Sequence, residues 1–594
     1  MIASSGYRHS SEELREVLRA RFGLEQFRAQ QEEAISSLLY GRDVLVVMPT
    51  GGGKSLCYQL PAAILPGVAL IVSPLIALMK DQVDRLNKLD IPAVALNSTL
   101  YYSKMKQVFE RAEKGLIKAL LVSPERLESA KFREELSRLP ISFIAIDEAH
   151  CISEWGHDFR TSYRRLTQVY DIFEGKRPPV IALTATATPE VRKDIIKQLE
   201  LDSPLEIVTG FARENVQYGV LTSCDKDLRT VDILRGLDGS AIIYASTRKN
   251  VEALVPKLGS QGIKAVAYHA GQPTELRRRI QDQFLKGDAK VIVATSAFGM
   301  GIDKADVRAV IHYDLPSTLE GYYQESGRAG RDGNKAFAVL LYNEGDTRSH
   351  EYLIRLSTPS DAELRNVYGA LHDIVQNTLG NVHESSFIVD ESNIMRRIVQ
   401  PQASLERILD VLEEEGYLYN HRWQISHQRS SVRFLAARGR FEEISFRTQK
   451  RGMKTAVDAL MRSVGADGFS REVDLDEDQI LEDFPLSTTD WKDSLRILES
   501  MGAIQYRVQP KVRAGNKAFV ITLLGERVPT NKLPLRMKFY EQRREKAIEK
   551  LSKVVDYATS WDCRTRTILN YFGDPSSTAC GSCDVCRAGS REAT

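Results

Sequence analysis

The sequence predicts an α/β protein: two tandem parallel-sheet lobes, then a helix-and-hairpin region, then a small helical module holding four cysteines. Three observations predict this. Short β-branched apolar runs alternate with helix-patterned segments from about residue 10 to about residue 340, the pattern of a parallel sheet flanked by helices. That pattern restarts near residue 212, so the first architecture is repeated. The last cysteines crowd into 563–586. A chain of 594 residues exceeds one ordinary domain. The expected domains are 1–211, 212–344, 345–535 and 536–594.

Composition narrows the class. Hydrophobic residues make up 43% and charged residues 27%, a globular balance. Lys plus Arg is 81 against 79 for Asp plus Glu, a net charge of +2. A generally basic wrapper of polyanions is excluded, so any such site is a local patch. The longest apolar run, VALIVSPLIALM, is broken by Ser73 and Pro74, which argues against a membrane span. No signal-type apolar core opens the chain. Cys57, Cys151 and Cys224 are scattered, as ordinary reduced thiols are. A cytoplasmic protein is expected.

Ser10 and Glu13 form a predicted capping box for a helix with Leu14, Val17, Leu18 and Phe22 on one face. DVLVVMP then reads as a buried strand. MPTGGGKSLCYQ follows it, and KSLCYQLPAAIL has helical spacing until Pro61. Strand, glycine loop and helix make the context of a phosphate-binding loop. Gly51, Gly52 and Gly53 let backbone N–H groups face phosphates; Lys54 supplies a point charge, and the Ser55 hydroxyl can ligate Mg²⁺. Met48 stands where the usual pattern has its first glycine, the one that touches phosphate least. ISFIAI is a second strand and ends in Asp147-Glu148-Ala149-His150. Asp147 is placed to hold Mg²⁺, and Glu148 to polarise an attacking water. An acidic pair at a strand end also suits a helix N-cap, but the loop at Lys54 favours the catalytic reading.

Directly after this pair, CISEWGHDFR packs Trp155, His157, Phe159 and Arg160 into a short polar loop. Aromatic faces beside a cation suit stacking on unpaired bases; Trp and Phe can equally plug a core. In the second lobe, AIIYASTRKN, KAVAYHAGQP, KVIVATSAFGMGIDK and VRAVIHYDLP each supply a strand. Gly327-Arg328-Ala329-Gly330-Arg331 then sets two guanidiniums three apart, suited to a γ-phosphate or to surface ion pairs.

TGGGKS, DEAH and QESGRAGRDG together resemble a superfamily 2 helicase, and DEAHCISEWGHDFR resembles the aromatic-rich loop of the RecQ family of DNA helicases. The resemblance implies two RecA-like lobes and ATP as the nucleotide. It assigns hydrolysis to Lys54, Ser55, Asp147, Glu148, Arg328 and Arg331, with Thr50 and Gln324 among the nucleotide contacts. FGLEQFRAQQ resembles the family's adenine segment, with Arg28 and Gln31 in the matching positions; Leu24 replaces a frequent aromatic residue. Ser73-Pro74-Leu75 and Thr184 to Thr188 resemble segments that touch DNA and couple the lobes. Trp155, His157, Phe159 and Arg160 would couple hydrolysis to DNA. Family behaviour implies 3′-to-5′ movement on single strands, unwinding of tailed duplex DNA, and service in repair or recombination. It also implies single-strand-binding protein as a candidate partner, and nucleoid association in a bacterium. Two rivals stand beside this: a translocase that does not separate strands, and a DNA-binding regulator with a decayed motor.

The last third is softer. SNIMRRIVQPQASLERILDVLEEEGYLY reads as two helices ending at Gly416. DWKDSLRILESMG leads into IQYRVQPKV and AGNKAFVITLL, an expected hairpin turning at Ala514-Gly515-Asn516 with Arg513 and Lys517 beside the tip. Helices with a hairpin suit a winged-helix region. Cys563, Cys580, Cys583 and Cys586 make a complete tetrahedral thiolate set for Zn²⁺, although Cys-x₂-Cys-x₂-Cys also suits an iron–sulfur cluster. Here WDCRTRTILNYFGD and CGSCDVC resemble the RecQ zinc module, which favours zinc. Arg543, Arg544 and Lys546 precede it on a helix, as phosphate contacts or as a solvated face. The order departs from the family plan, in which the zinc module comes before the winged helix.

Overall fold

In the computed structural model the chain forms two compact units, one of residues 1–352 with 542–594 and one of 353–541. The structure describes residues 9–28, 30–74, 76–96, 102–153, 156, 161–173, 175, 177–223, 225–299, 304–379, 386–399, 401, 403–420, 430–448, 450, 452–469, 473–475, 477–508, 518–574 and 578–592.

The first unit opens on the expected helix, Ser11–Phe22, with its capping box formed: Ser10 N donates to Glu13 Oε2 at 2.8 Å, and Glu13 N to Ser10 Oγ at 3.2 Å. Seven strands follow: β1 (Val44–Val47), β2 (Val68–Val72), β3 (Ala93–Leu96), β4 (Ala119–Val122), β5 (Ile141–Ile146), β6 (Val180–Thr184) and β7 (Leu205–Val208). They form one sheet in the order β3-β4-β2-β5-β6-β1-β7, parallel throughout. Strands β1, β2, β4 and β6 are buried along their whole length, as a sheet covered on both faces requires. The order brings the ends of β1, β5 and β6 side by side, where α/β sheets bind ligands.

The second lobe repeats the design. Strands β8 (Val216–Thr222), β9 (Ser240–Tyr244), β10 (Ala265–Tyr268), β11 (Val291–Ala294), β12 (Val307–His312) and β13 (Ala336–Tyr342) form a parallel sheet ordered β10-β11-β9-β12-β13-β8. Two parallel α/β lobes are therefore present.

One expectation fails locally. The helix after the glycine loop runs Leu56–Ile64 and passes through Pro61. Proline removes one intrahelical bond, but Tyr58, Leu60 and Ala62 are at most 2% exposed, and their packing carries the helix one more turn.

The second unit contains β14 (Ser386–Asp390), β15 (Leu418–Asn420), β16 (Ser430–Phe434), β17 (Val473–Leu475), β18 (Ile504–Val508) and β19 (Ala518–Leu523). Its two halves repeat one element order. The first half has helix Asp361–Leu379, β14, helices Glu391–Met395 and Leu405–Glu414, β15, then β16. The second half has helix Met453–Val464, β17, helices Glu477–Asp483 and Thr488–Ser500, β18, then β19. The sheets, however, are β14-β19-β15 and β17-β16-β18. Each half gives its last strand to the other half's sheet. Among the described residues the expected hairpin of β18 with β19 is therefore absent: β18 pairs antiparallel with β16, and β19 with β14 and β15. The intended turn, with Arg513 to Lys517, lies outside the described residues. Two cores result, one around Ile408, Leu412 and Ile521, the other around Trp491, Leu495 and Val432. Among the described residues, no helix is long and apolar enough to cross a membrane.

Candidate nucleotide site

The loop after β1 has the backbone its glycines predict. Gly51 and Gly53 hold φ of 84° and 85°, in the left-handed region. A Cβ on Gly53 would meet Gln31 Nε2 at 2.4 Å, so only glycine fits there. Met48, at the missing-glycine position, is 1% exposed and packs in the first lobe's core. Its N–H donates to Thr184 O at 3.1 Å, which ties the root of the loop to the end of β6. The substitution thus serves the core and leaves the loop's glycines in place.

Lys54 is half-buried and folds back on the loop, donating to Met48 O at 3.0 Å and Pro49 O at 3.4 Å. Burial pushes its ammonium below the usual lysine range, opposed by Glu148 and Asp147, with Arg331 adding to the depression. Ser55 Oγ accepts from Gln82 Nε2 at 3.3 Å. Gln31 Nε2 donates to Gly52 O at 3.2 Å and Gly53 O at 3.0 Å; Arg28 donates its backbone N–H to Gln31 Oε1 at 2.8 Å and a guanidinium N–H to Gly51 O. Both residues therefore brace the loop directly. Leu24 is exposed.

Asp147 and Glu148 sit just past β5, as expected. Asp147 is 7% exposed, and burial, with Glu148 beside it, raises its carboxyl above the ordinary range against Lys54. Tyr163, fully buried, donates to Asp147 O at 3.0 Å. Glu148 takes a left-handed φ of 50°, a strained choice for a non-glycine residue at a functional turn. His150 Nδ1 lies 3.4 Å from Glu148 Oε2 and 2.9 Å from Thr184 Oγ1; Thr184 Oγ1 in turn accepts from Thr186 N at 3.3 Å. The carboxylates are thus wired to the threonine segment after β6.

Trp155, His157, Phe159 and Arg160 lie outside the described residues, as does Leu75. The root of the aromatic loop is described: a Cβ on Gly156 would meet His150 O at 2.3 Å, so the chain doubles back against the DEAH turn.

The second lobe completes the site. Helix Leu319–Ser326 carries Gln324 and ends just before Gly327. Arg328 and Arg331 follow in the turn, Arg328 only 3% exposed. A Cβ on Gly51 would lie 3.8 Å from Arg331 Cγ, and one on Gly327 would lie 3.4 Å from Thr50 Cβ. The arginine turn therefore seats against the phosphate loop. The Thr50, Ser73 and Thr186 hydroxyls are buried with no hydrogen-bond partner among the described residues, as polar groups meant for a ligand would be. The glycine cradle, Lys54 and these hydroxyls fit a nucleoside triphosphate. Ser55 and Asp147 are the oxygen donors that would hold its Mg²⁺.

The four Sγ atoms of Cys563, Cys580, Cys583 and Cys586 lie within 4.8 Å of one another. Four thiolates on one zinc stand about 3.8 Å apart, so the donor set fits Zn²⁺. Backbone N–H groups already point at the sulfurs: Cys580 N to Cys563 Sγ and Cys583 N to Cys580 Sγ at 3.3 Å, Cys586 N to Cys583 Sγ at 3.5 Å. The module packs on the second lobe. Asp584 Oδ2 accepts from Val220 N at 2.9 Å, and Lys550 pairs with buried Glu320 at 2.9 Å. Lys546, expected on phosphate or in solvent, pairs with Glu190 at 3.1 Å.

Tyr163 and Arg213 escaped the sequence reading. Tyr163 lies in the 3-10 helix Thr161–Ile172, which no local pattern ties to Asp147.

Two parallel α/β lobes, with the arginine turn of the second against the phosphate loop of the first, have the architecture of the superfamily 2 helicases. Three family models match the chain: DEAD/DEAH box helicase over residues 28–195, helicase conserved C-terminal domain over 225–333, and RecQ zinc-binding over 530–587. A probable ATP-dependent DNA helicase RecS of Bacillus subtilis is 42% identical over 363 residues, 60% of this chain and 72% of that protein. The chain belongs to the RecQ family. ATP-dependent DNA helicases RecQ of Pasteurella multocida and Bacillus subtilis are 46% and 42% identical, over 56% and 58% of this chain. This chain spans 52% and 59% of their lengths.

Proposed function

We propose that the protein is an ATP- and Mg²⁺-dependent DNA helicase that moves 3′ to 5′ on single strands, unwinds tailed duplex DNA, and serves repair or recombination. The observation that carries this reading is the split site: Arg331, from the second lobe, lies against Gly51 of the phosphate loop. ATP bound between the lobes would recruit Arg328 and Arg331 to its γ-phosphate, and hydrolysis would release them, so the lobes move once per turnover. Lys54 would hold the β/γ-phosphates, Thr50 and Gln324 would contact the nucleotide, and Glu148 would orient the attacking water. Arg28 and Gln31 would read adenine by exchanging their bonds to the loop for bonds to the base. Trp155, His157, Phe159 and Arg160 would report DNA to the carboxylates. The four cysteines would hold structural Zn²⁺. The two halves of 353–541 are read as winged-helix-like modules, supported by their helix–strand–helix–helix–strand order and by three-stranded sheets whose middle strand comes from the other half. Cytoplasmic placement, with single-strand-binding protein as a partner, follows the family.

A second reading, a translocase that does not separate strands, is favoured by one observation: β18 and β19 belong to different sheets. ATP-dependent unwinding of duplexes with a 3′ or a 5′ tail tests both. Opening of the 3′-tailed duplex alone supports the helicase. Single-strand-stimulated ATPase with neither duplex opened supports the translocase.

A further inference from the structure

Arg213 lies in the segment joining the lobes, between β7 and β8, and is half-buried. Its Nη1 donates to Gly327 O at 3.1 Å and reaches Thr50 O at 3.5 Å. Its Nη2 donates to Ala329 O at 2.9 Å and Gly330 O at 3.3 Å. Two residues on, Asn215 Nδ2 donates to Gly330 O at 2.7 Å and Asn334 O at 2.9 Å. These acceptors are backbone carbonyls of the turn that carries Arg328 and Arg331, except Asn334, three residues past Arg331, and Thr50, which belongs to the phosphate loop of the other lobe.

The chemistry suits an arginine. The carbonyls of Gly327, Ala329 and Gly330 lie past the end of helix Leu319–Ser326, where no intrahelical N–H reaches them. A guanidinium offers five N–H donors in a fixed plane and can serve several carbonyls at once. An ammonium is a point donor on a flexible stem and cannot span Thr50 and Gly330 together. The turn is also intolerant of change: Gly330 holds a φ of 58°, and a Cβ there would meet Asn215 Nδ2 at 2.5 Å.

We infer that Arg213 is a positioning residue for ATP hydrolysis. It sets the Gly327–Gly330 turn against Thr50, so that Arg328 and Arg331 reach the terminal phosphate when the lobes close. Asn215 fixes the far side of the same turn. This rests on the ATPase reading above. Arg213 itself need not touch the nucleotide: its side-chain donors are directed at backbone carbonyls, and its effect passes through the arginines it aligns.

The test is single-strand-stimulated ATPase on the full chain, for wild type, Arg213→Ala, Arg213→Lys and Asn215→Ala. A fluorescent ATP analogue gives nucleotide affinity, and urea midpoints report folding. Misplacing the arginines by about 1 Å should lower kcat about a hundredfold in Arg213→Ala. Nucleotide Kd and the urea midpoint should stay close to wild type, and Arg213→Lys should fail to restore kcat. Full kcat in Arg213→Ala overturns the inference, and so does full rescue by lysine, which would make charge alone sufficient. A kcat loss that tracks a lowered urea midpoint in every variant overturns it too, leaving a structural clasp. Absence of ATPase in wild type instead refutes the functional reading on which the inference stands.

Discussion

The rings of Phe211 and Phe572 stack with centroids 4.6 Å apart and planes 14° from parallel. Phe211 lies in the joint between the lobes, and Phe572 ends a helix of the cysteine module. Tyr323 packs against both rings and donates its hydroxyl to Phe211 O at 2.9 Å. Tyr323 belongs to the helix that leads into Arg328. The cysteine module is therefore packed on the helix that leads into Arg328. Cys583→Ser should release zinc, lower the Tm and reduce ATPase together. Elemental analysis beside a thermal melt checks this. Iron with acid-labile sulfide in the wild type would refute zinc, and full ATPase after metal loss would break the link to the arginines.

Met48→Gly restores the usual phosphate-loop pattern and should make the protein worse. Met48 is 1% exposed inside the first lobe's core. Truncating a buried methionine to alanine costs about 2–5 kcal/mol, and glycine adds backbone freedom to the unfolded chain. Urea denaturation should show that loss with no gain in ATP affinity. Tighter ATP binding without destabilisation would mean Met48 obstructs the nucleotide.

In the proposed mechanism Lys54 would serve nucleotide binding and Glu148 the chemistry. Lys54→Ala removes the charge meant for the phosphates and should abolish both ATP binding and turnover while DNA binding persists. Glu148→Gln keeps shape and removes the proposed base, so turnover should fall by about 10²–10⁴ with nucleotide affinity retained. Equilibrium nucleotide titration beside steady-state kinetics separates the two. Persistent turnover in Lys54→Ala would overturn the site.

The candidate site was legible because its features are local: glycines at φ above 80°, a lysine after them, and a carboxylate pair at a strand end. Arg213 was not, because its acceptors lie more than 110 residues away in the arginine turn. Pro61 misled because propensity argues for a break and only tertiary packing overrides it. The β18–β19 hairpin misled for a related reason. Two adjacent strands with a glycine turn satisfy every local rule, and nothing in either strand reveals that its partner comes from another half.

His372 gives the second unit an acid sensitivity. Burial, reinforced by Arg527, pushes its imidazole down to about 4 despite Asp373. Unfolded, the ring titrates near 6.5. The folded state thus excludes a proton that the unfolded state accepts. Stability is full above pH 6.5 and declines as pH falls from there toward 4. His372→Gln should flatten that decline relative to wild type. Hydrogen exchange in helix Asp361–Leu379 from pH 7 to pH 4.5 reads it, and parallel profiles would refute the role of His372.

The exchanged strands make the most specific claim about the second unit. Ile521, on β19, is fully buried in the core of the first half, although its chain neighbours in sequence belong to the second. Phe434, on β16, is 4% exposed in the core built around Trp491. Ile521→Ala should cost about 2–5 kcal/mol and Phe434→Ala about 3–5 kcal/mol. The location of the damage is the decisive readout. With exchange, Ile521→Ala loosens amides of β14 and β15, and Phe434→Ala loosens β17 and β18 and shifts the emission of buried Trp491. Without exchange the pattern inverts, because each strand would then pair within its own half. Residue-resolved hydrogen exchange on the two variants distinguishes these outcomes even if both lose equal stability, since the two arrangements bury the same side chains in different sheets.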